Sequence, residues 1–227
     1  MQVIPALLEN NSNALIKQIN RLSPFFKTFQ VDIADGIFVP NKTVRIKEIN
    51  NFLTNNQYLI TNNFIFDFHL MVKDYEKEIE KLSNLVSKKI MKINNIFVHF
   101  SLLPNYQLLI TNYPNFSFGL VLNPEDNVDE LKQKYDLNQI ESIQIMSVNP
   151  GFQGQPFLPH TLKKIEQLRK QNYRHKILLD GAINQDTLPL ILSKKYKPDC
   201  LCIGSYLTKA ENLKERIKFL NKKLPPP

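Results

Sequence analysis

The sequence predicts an α/β fold, a single (β/α)8 TIM barrel spanning residues 1–227, from three observations. Short apolar runs alternate with longer amphipathic segments, which is the pattern of βα units around a parallel sheet. Eight such pairs follow one another with no linker or change of composition. The length of 227 residues suits one closed barrel. The segment after the first strand lacks the G-x-G-x-x-G that would favour an open dinucleotide-binding sheet.

The elements are predicted in order along the chain. The strands are the short apolar runs at Gln2–Ala6, Thr28–Ile33, Ile65–Met71, Ile96–Phe100, Ser117–Leu122, Ser142–Met146, Lys176–Asp180 and Cys200–Ile203. The helices are the amphipathic segments at Asn11–Arg21, Val44–Thr54, Tyr75–Ser87, Asn105–Asn112, Val128–Lys134, Thr161–Gln171, Thr187–Lys195 and Leu213–Lys223. Because barrel active sites lie at the C-terminal ends of the strands, residues that end a strand are the first candidates for chemistry.

The composition excludes several classes of protein. With 43% hydrophobic and 22% charged residues the chain can bury a core, so disorder is not expected. The net charge of +8 comes from lysines scattered among acids, without the basic stripes and interleaved aromatics of nucleic-acid-binding surfaces. No apolar run approaches 18 residues, and the N-terminus lacks a signal-peptide pattern. We therefore expect a cytoplasmic protein without nucleic-acid or membrane partners.

Most of the six glycines lie where an anionic ligand would need bare backbone. Gly151 and Gly154 follow the sixth predicted strand, Gly181 the seventh and Gly204 the eighth. Glycine allows positive φ and close approach of backbone N–H groups to a phosphate. Barrels commonly bind phosphate at the loops after strands seven and eight. The glycines therefore predict a phosphate site.

Three polar residues end strands in a way that predicts chemistry. Asp32 and His69 lie near the ends of the second and third strands, and Asp180 ends the seventh. Two carboxylates and an imidazole around one cavity can hold a divalent metal. Carboxylates on opposite sides of a barrel could also remove a proton from one face of a carbon and return one to the other. Taken singly, each residue also fits a structural role, as a helix cap or a hydrogen-bonded core group. His99, at the end of the fourth predicted strand, is a further candidate for the barrel mouth.

The strand ends also carry a series of motifs that resembles the ribulose-phosphate 3-epimerase family over essentially the whole chain. In order they are VDIADGIFVPNKT, DFHLMV, GLVLNPED, IQIMSVNPGFQGQPFLPHTLKKIEQLR, LLDGAIN and IGS. The segments FQGQPF and KAENL are also similar to the allulose-6-phosphate 3-epimerase branch. The resemblance implies an isomerase that converts D-ribulose 5-phosphate to D-xylulose 5-phosphate. It implies two-base proton transfer at C3 through a cis-enediolate, assisted by a divalent metal (Zn, Mn, Fe or Co).

The resemblance assigns roles by motif. Asp32 and Asp180 would be the catalytic acid–base pair and, with His69 and the residue at position 30, the metal ligands. The partner would be a small phosphorylated sugar, and we expect a homo-oligomer. The expected substrate- and phosphate-binding set is Ala6, His69, Met71, Met146, Gly151, Phe152, Gln153, Gly154, Gly181, Ala182, Gly204 and Ser205.

Five positions depart from the family pattern. Gln30 stands where the family has a His ligand, and an amide oxygen is a weaker, harder ligand, so we expect lower zinc affinity. Ala6 replaces a serine and Ala34 a methionine, which widens the pocket. Gln153 and Ala182 replace glycines, where positive φ would be costly. These changes leave open an allulose-6-phosphate 3-epimerase or a catalytically impaired sugar-phosphate-binding homologue. A barrel decarboxylase is disfavoured because no lysine closely follows Asp32.

Overall fold

The computed structural model describes residues 1–55, 64–87 and 91–224. Its eight parallel strands close into a barrel in chain order. The strands are β1 (Gln2–Leu7), β2 (Thr28–Ala34), β3 (Ile65–Met71), β4 (Lys92–His99), β5 (Ser117–Leu122), β6 (Ser142–Met146), β7 (Lys176–Asp180) and β8 (Cys200–Ile203). The predicted (β/α)8 barrel is confirmed. Only β4 differs from its predicted bounds by more than one residue, because it begins four residues earlier.

The helices follow the strands as the amphipathic pattern predicts. They are α1 (Ser12–Leu22), α2 (Ile46–Asn55), α3 (Tyr75–Ser87), α4 (Tyr106–Asn112), α5 (Val128–Lys134), α6 (Leu162–Lys170), α7 (Leu188–Ser193), α8 (Ser205–Thr208) and α9 (Leu213–Lys223). The short helix α8 was not predicted, since four residues are too few to show helical periodicity. None of the helices in the described part of the chain has the length and apolar character that a membrane crossing needs.

The internal contacts divide the chain into two compact units, residues 6–118 and residues 1–5 with 119–227. The expectation of one domain over residues 1–227 stays a prediction.

The most regular strand pair in the unit of residues 6–118 consists of β2 and β3. Their parallel register is continuous from Thr28 beside Ile65 to Ala34 beside Met71. All but the first residue of β3 are buried, as are the last six of β2, so both faces of this pair lie in the interior. Parallel strands covered on both faces are the rule in α/β barrels. The pairing sets Asp32 directly beside His69.

In the other unit, β7 lies between β6 and β8. Asp180 at the end of β7 pairs with Met146 on β6 and with Cys202 on β8. The strand β8 also pairs with the Gln2–Pro5 part of β1. Every residue of β6 is buried, and only the first of β7 is exposed. The register therefore brings the ends of three strands together around Asp180.

Candidate active site

Asp32 and His69 form a carboxylate–imidazole pair in the candidate site. His69 Nδ1 lies 3.3 Å from Asp32 Oδ1, and both side chains are buried. The Nε2 amide group of Gln30, two residues before Asp32 on the same face of β2, donates to the same oxygen at 2.9 Å. The Asp32 carboxylate is therefore fixed by an amide donor, with its oxygen turned toward the imidazole.

The other ring nitrogen of His69 faces a second histidine. His69 Nε2 lies 2.9 Å from His99 Nε2, and both rings are almost entirely excluded from solvent. His99 was only a candidate for the barrel mouth in the sequence, and the structure places it directly against His69.

Asp180 has an amide donor of its own, which sequence reasoning missed. Gln144 Nε2 on β6 donates to Asp180 Oδ2 at 2.9 Å, and the Gln144 side chain is fully buried. The same amide nitrogen lies 3.8 Å from the sulfur of Met146. The sequence signal for this residue was a glutamine within an apolar run. Only the register of β6 and β7 shows that its hydrogen-bond partner is Asp180.

The chemistry of the donor set fits a divalent metal. Asp32, His69 and Asp180 each offer one ligand atom, and these atoms lie within 4.8 Å of one another. Two carboxylate oxygens and an imidazole nitrogen suit Zn, Mn, Fe or Co. The three residues that the sequence analysis selected thus form a group that could hold such an ion.

The predicted coordination by Gln30 stays a prediction. The structure directs the amide nitrogen of Gln30 toward Asp32, whereas the sequence-based expectation concerned its amide oxygen. A carboxamide has both a donor and an acceptor end, so one glutamine side chain can donate to Asp32 and still offer its oxygen to a metal.

Three of the predicted pocket positions, Ala6, Ala34 and Met71, are buried. Ala6 on β1 is buried and pairs with Gln30 on β2. Ala34 and Met71 pack together with Val39 in a small apolar cluster. The wider pocket expected from Ala34 stays a prediction.

The loops after β6 and β7 have the backbone conformations that the phosphate prediction requires. Gly151, Gly154 and Gly181 have φ values of 117°, 88° and 118°. A Cβ on Gly181 would also come within 2.6 Å of the Val148 side chain. Ala182 has φ of 49°, so the predicted strain is present there. Gln153 is not among the described residues with positive φ, so the strain considered at that position does not arise. After β8, Gly204 directly precedes helix α8, which begins at Ser205.

Ser147 joins the first two of these loops and was not predicted. It is fully buried just after β6. Its backbone N–H donates to the carbonyl of Asp180 at 2.7 Å, and its hydroxyl lies 2.9 Å and 2.7 Å from the carbonyl oxygens of Asp180 and Gly181. Ser147 therefore fixes the backbone that carries Asp180.

The loop after β2 is held by Asp35. Its carboxylate accepts hydrogen bonds from the backbone N–H groups of Ile37, Phe38 and Lys73 at 2.7 to 2.8 Å. Burial raises the pKa of Asp35, but these backbone donors outweigh it and hold the pKa below its ordinary value. Asp35 therefore has a structural role, which positions the segment directly after Asp32.

Comparison with known proteins identifies the family. The sequence profile of the ribulose-phosphate 3 epimerase family matches residues 2–208. The chain belongs to this family. The ribulose-phosphate 3-epimerase of Helicobacter pylori is 29% identical over 224 residues, which cover 97% of this chain and 96% of that protein. The cytoplasmic isoform of Oryza sativa subsp. japonica is 26% identical over 226 residues, covering 97% and 93%.

Family membership confirms the resemblance drawn from the strand-end motifs and places the chain among the isomerases. The chain is also similar to solved structures, but only in fold. A mutant tryptophan synthase alpha-subunit from Pyrococcus furiosus superposes with a TM-score of 0.63 at 14% identity, covering 98% of this chain and 95% of that one. Such a match shows a shared barrel, and the functional argument rests on the family and the site.

Proposed function

We propose that this epimerase-family chain interconverts D-ribulose 5-phosphate and D-xylulose 5-phosphate by proton transfer at C3. The observation that carries the proposal is the group of Asp32, His69 and Asp180, whose ligand atoms lie within 4.8 Å of one another. Each carboxylate accepts an amide hydrogen bond, from Gln30 or from Gln144. The family match supports the reaction class, and the geometry of these side chains supports the roles.

The two aspartates act as the acid–base pair. One carboxylate takes the C3 proton, which leaves the electron pair delocalised in a cis-enediolate of the sugar. The other aspartate, in its acid form, gives a proton to C3 from the opposite face, so the configuration at C3 inverts. Both groups must be held in place for this, because misplacement of a catalytic group lowers the rate steeply.

A divalent metal completes the proposal. Asp32, His69 and Asp180 would hold it, and when bound it supplies Lewis-acid polarisation of the C2 carbonyl and C3 hydroxyl oxygens. An ionised carboxylate has about four lone-pair sites on its two oxygens, so an amide hydrogen bond still leaves capacity for metal and proton.

The phosphate of the substrate would bind at the loops after β6, β7 and β8. The positive φ values of Gly151, Gly154 and Gly181 allow backbone N–H groups to turn toward an anion. The predicted contacts from Phe152, Gln153, Ala182, Gly204 and Ser205 belong to this proposal. A short helix such as α8 after the eighth strand is a recurring part of barrel phosphate sites.

We also propose a cytoplasmic location and a homo-oligomeric state. The location is supported by the rice relative, which is named a cytoplasmic isoform. Sedimentation velocity of the purified chain would test the oligomeric state.

The test is an assay of the purified protein with both candidate substrates. Ribulose 5-phosphate and allulose 6-phosphate are each incubated in deuterated water, and deuterium at C3 is measured together with epimer formation. We expect metal-dependent exchange with ribulose 5-phosphate, and its loss in Asp180→Asn with phosphate binding retained. Faster exchange with allulose 6-phosphate would reassign the substrate. Exchange with neither, together with ligand-induced thermal stabilisation, would identify an impaired sugar-phosphate binder.

A further inference from the structure

The strand β4 contains an extra residue opposite β3. Phe66 pairs with Ile93 and Phe68 pairs with Ile96, so a single residue of β3, Asp67, lies opposite two residues of β4. Such a β-bulge leaves one residue outside the ladder and redirects the side chains that follow.

Asp67 stabilises this bulge. Its Oδ1 accepts the backbone N–H and the side-chain amide of Asn95, both at 2.9 Å, and lies 3.4 Å from the side-chain amide of Asn94. Asp67 is almost completely buried. A buried carboxylate that binds the displaced backbone makes the bulge a fixed feature of the sheet.

The bulge decides which β4 side chains share a face with His69. Side chains alternate along a strand, and an extra residue shifts that alternation by one. Beyond the bulge, Phe97 pairs with His69 and Val98 with Leu70. His99, two residues after Phe97, is therefore on the face of His69. If the present residues paired regularly onward from Phe66 and Ile93, Ile96 would lie beside His69 and His99 would be on the opposite face.

The two imidazole rings meet head-on. Their Nε2 atoms lie 2.9 Å apart, their centroids 5.0 Å apart, and their planes differ by 29°. The centroid separation exceeds the nitrogen separation by roughly two ring radii, which sets the nitrogens near the line between the ring centres. This is the in-plane geometry that an N–H···N hydrogen bond prefers. Phe38 packs against His99 with ring centroids 4.6 Å apart.

We propose that His99 is a positioning residue for His69, accepting the Nε2 proton of His69 so that the Nδ1 lone pair faces Asp32 and the metal. This inference rests on the metal site of the proposed function. Metal-binding histidines almost always donate their second ring N–H to a partner that fixes the tautomer and the ring orientation. The opposite direction of donation would require a proton on His69 Nδ1, which would prevent that atom from binding metal.

The decisive experiment is nitrogen-15 NMR of the wild-type protein loaded with zinc. We expect the ring proton of His99 on Nδ1, the ring proton of His69 on Nε2, and a scalar coupling between the two Nε2 nuclei across the hydrogen bond. A proton on His99 Nε2, or the absence of the coupling in zinc-loaded protein, would overturn the role of His99 alone. Failure of the wild type to bind zinc in a chelator competition would overturn the metal site and this role with it.

Variants test the same role through metal affinity. His99→Phe keeps a ring against Phe38 but removes the acceptor, and we expect about 10- to 100-fold weaker zinc binding. His99→Gln retains an acceptor at similar reach and should restore most of the affinity. His160→Phe, at an exposed histidine, is the control and should bind zinc as the wild type does. Equal affinity in the Phe and Gln variants would contradict the proposal. If His99→Phe does not fold, the NMR result on the wild type decides.

Discussion

Replacing Gln144 with leucine should lower the turnover of the enzyme while leaving its free energy of unfolding nearly unchanged. The Gln144 amide donates to Asp180 at 2.9 Å in a fully buried setting. Its carboxamide oxygen is also buried and accepts no hydrogen bond from any residue in the described part of the chain. Gln144→Leu removes both the bond and the unsatisfied acceptor while keeping a side chain of similar size.

The two effects on stability nearly cancel. A hydrogen bond to an ionised acceptor contributes about 1.5–3 kcal/mol, and a buried unsatisfied polar atom costs about 1–3 kcal/mol. The free energy of unfolding of Gln144→Leu should therefore stay within roughly 1–2 kcal/mol of the wild type. Activity has no such compensation. If the lost bond orients Asp180 in the transition state, turnover should fall about 10- to 150-fold.

The measurements are urea unfolding followed by circular dichroism and the C3 exchange assay on the same preparations. Gln144→Glu is a matched variant of the same length that replaces the donor with a second carboxyl group, and it should lose activity as well. Wild-type turnover in a stably folded Gln144→Leu protein would refute the assigned role. A large loss of stability with unchanged turnover per folded molecule would show that Gln144 is only a structural residue.

Three other changes test separate parts of the site. Ala182→Gly should raise the free energy of unfolding by roughly 0.5–1 kcal/mol, because glycine relieves the positive φ at some entropic cost; an unchanged or lower value in chemical unfolding would contradict the strain. The lowered pKa of Asp35 means that its ionised form stabilises the fold above about pH 4 and that this stabilisation is lost as the pH falls through the lowered pKa. The stability difference between wild type and Asp35→Asn should therefore shrink in acid, and a difference independent of pH would count against it. Gln30→His should raise zinc content measured by elemental analysis, whereas unchanged content would remove position 30 from the metal site.

The sequence predicted most of the barrel, and the exceptions have physical causes. Strand β7 was predicted with its full bounds because its short apolar run lies directly between Lys176 and Asp180. Strand β4 was predicted to start at Ile96 because Asn94 and Asn95 interrupt its apolar run. The structure shows that these asparagines form a bulge whose displaced groups bind Asp67. Because the buried Asp67 accepts hydrogen bonds from them, these polar residues are compatible with a strand. Asp67 is distant in the sequence, so the local sequence of β4 does not reveal it.

The site also contains residues that the sequence predicts and contacts that only the structure shows. Asp32, His69 and Asp180 could be selected from the sequence because each lies at or near the end of a predicted strand. The hydrogen bond from Gln144 to Asp180 depends on the register between β6 and β7. Short apolar runs in the sequence do not specify that register. The contact of His99 with His69 depends on the bulge in β4, since regular pairing onward from Phe66 and Ile93 would place His99 on the other face.

Neutral amides are the donors to both carboxylates, and this choice suits a cation site. Carboxylates that share a site carry like charges, and hydrogen-bond donors stabilise them. A lysine or arginine would give a stronger, charge-assisted bond, but its positive charge would also oppose a divalent metal. Gln30 and Gln144 supply N–H groups without that charge. Substituting either with lysine should thus preserve a donor to the aspartate and yet weaken metal binding, and tighter binding in those variants would contradict this electrostatic argument.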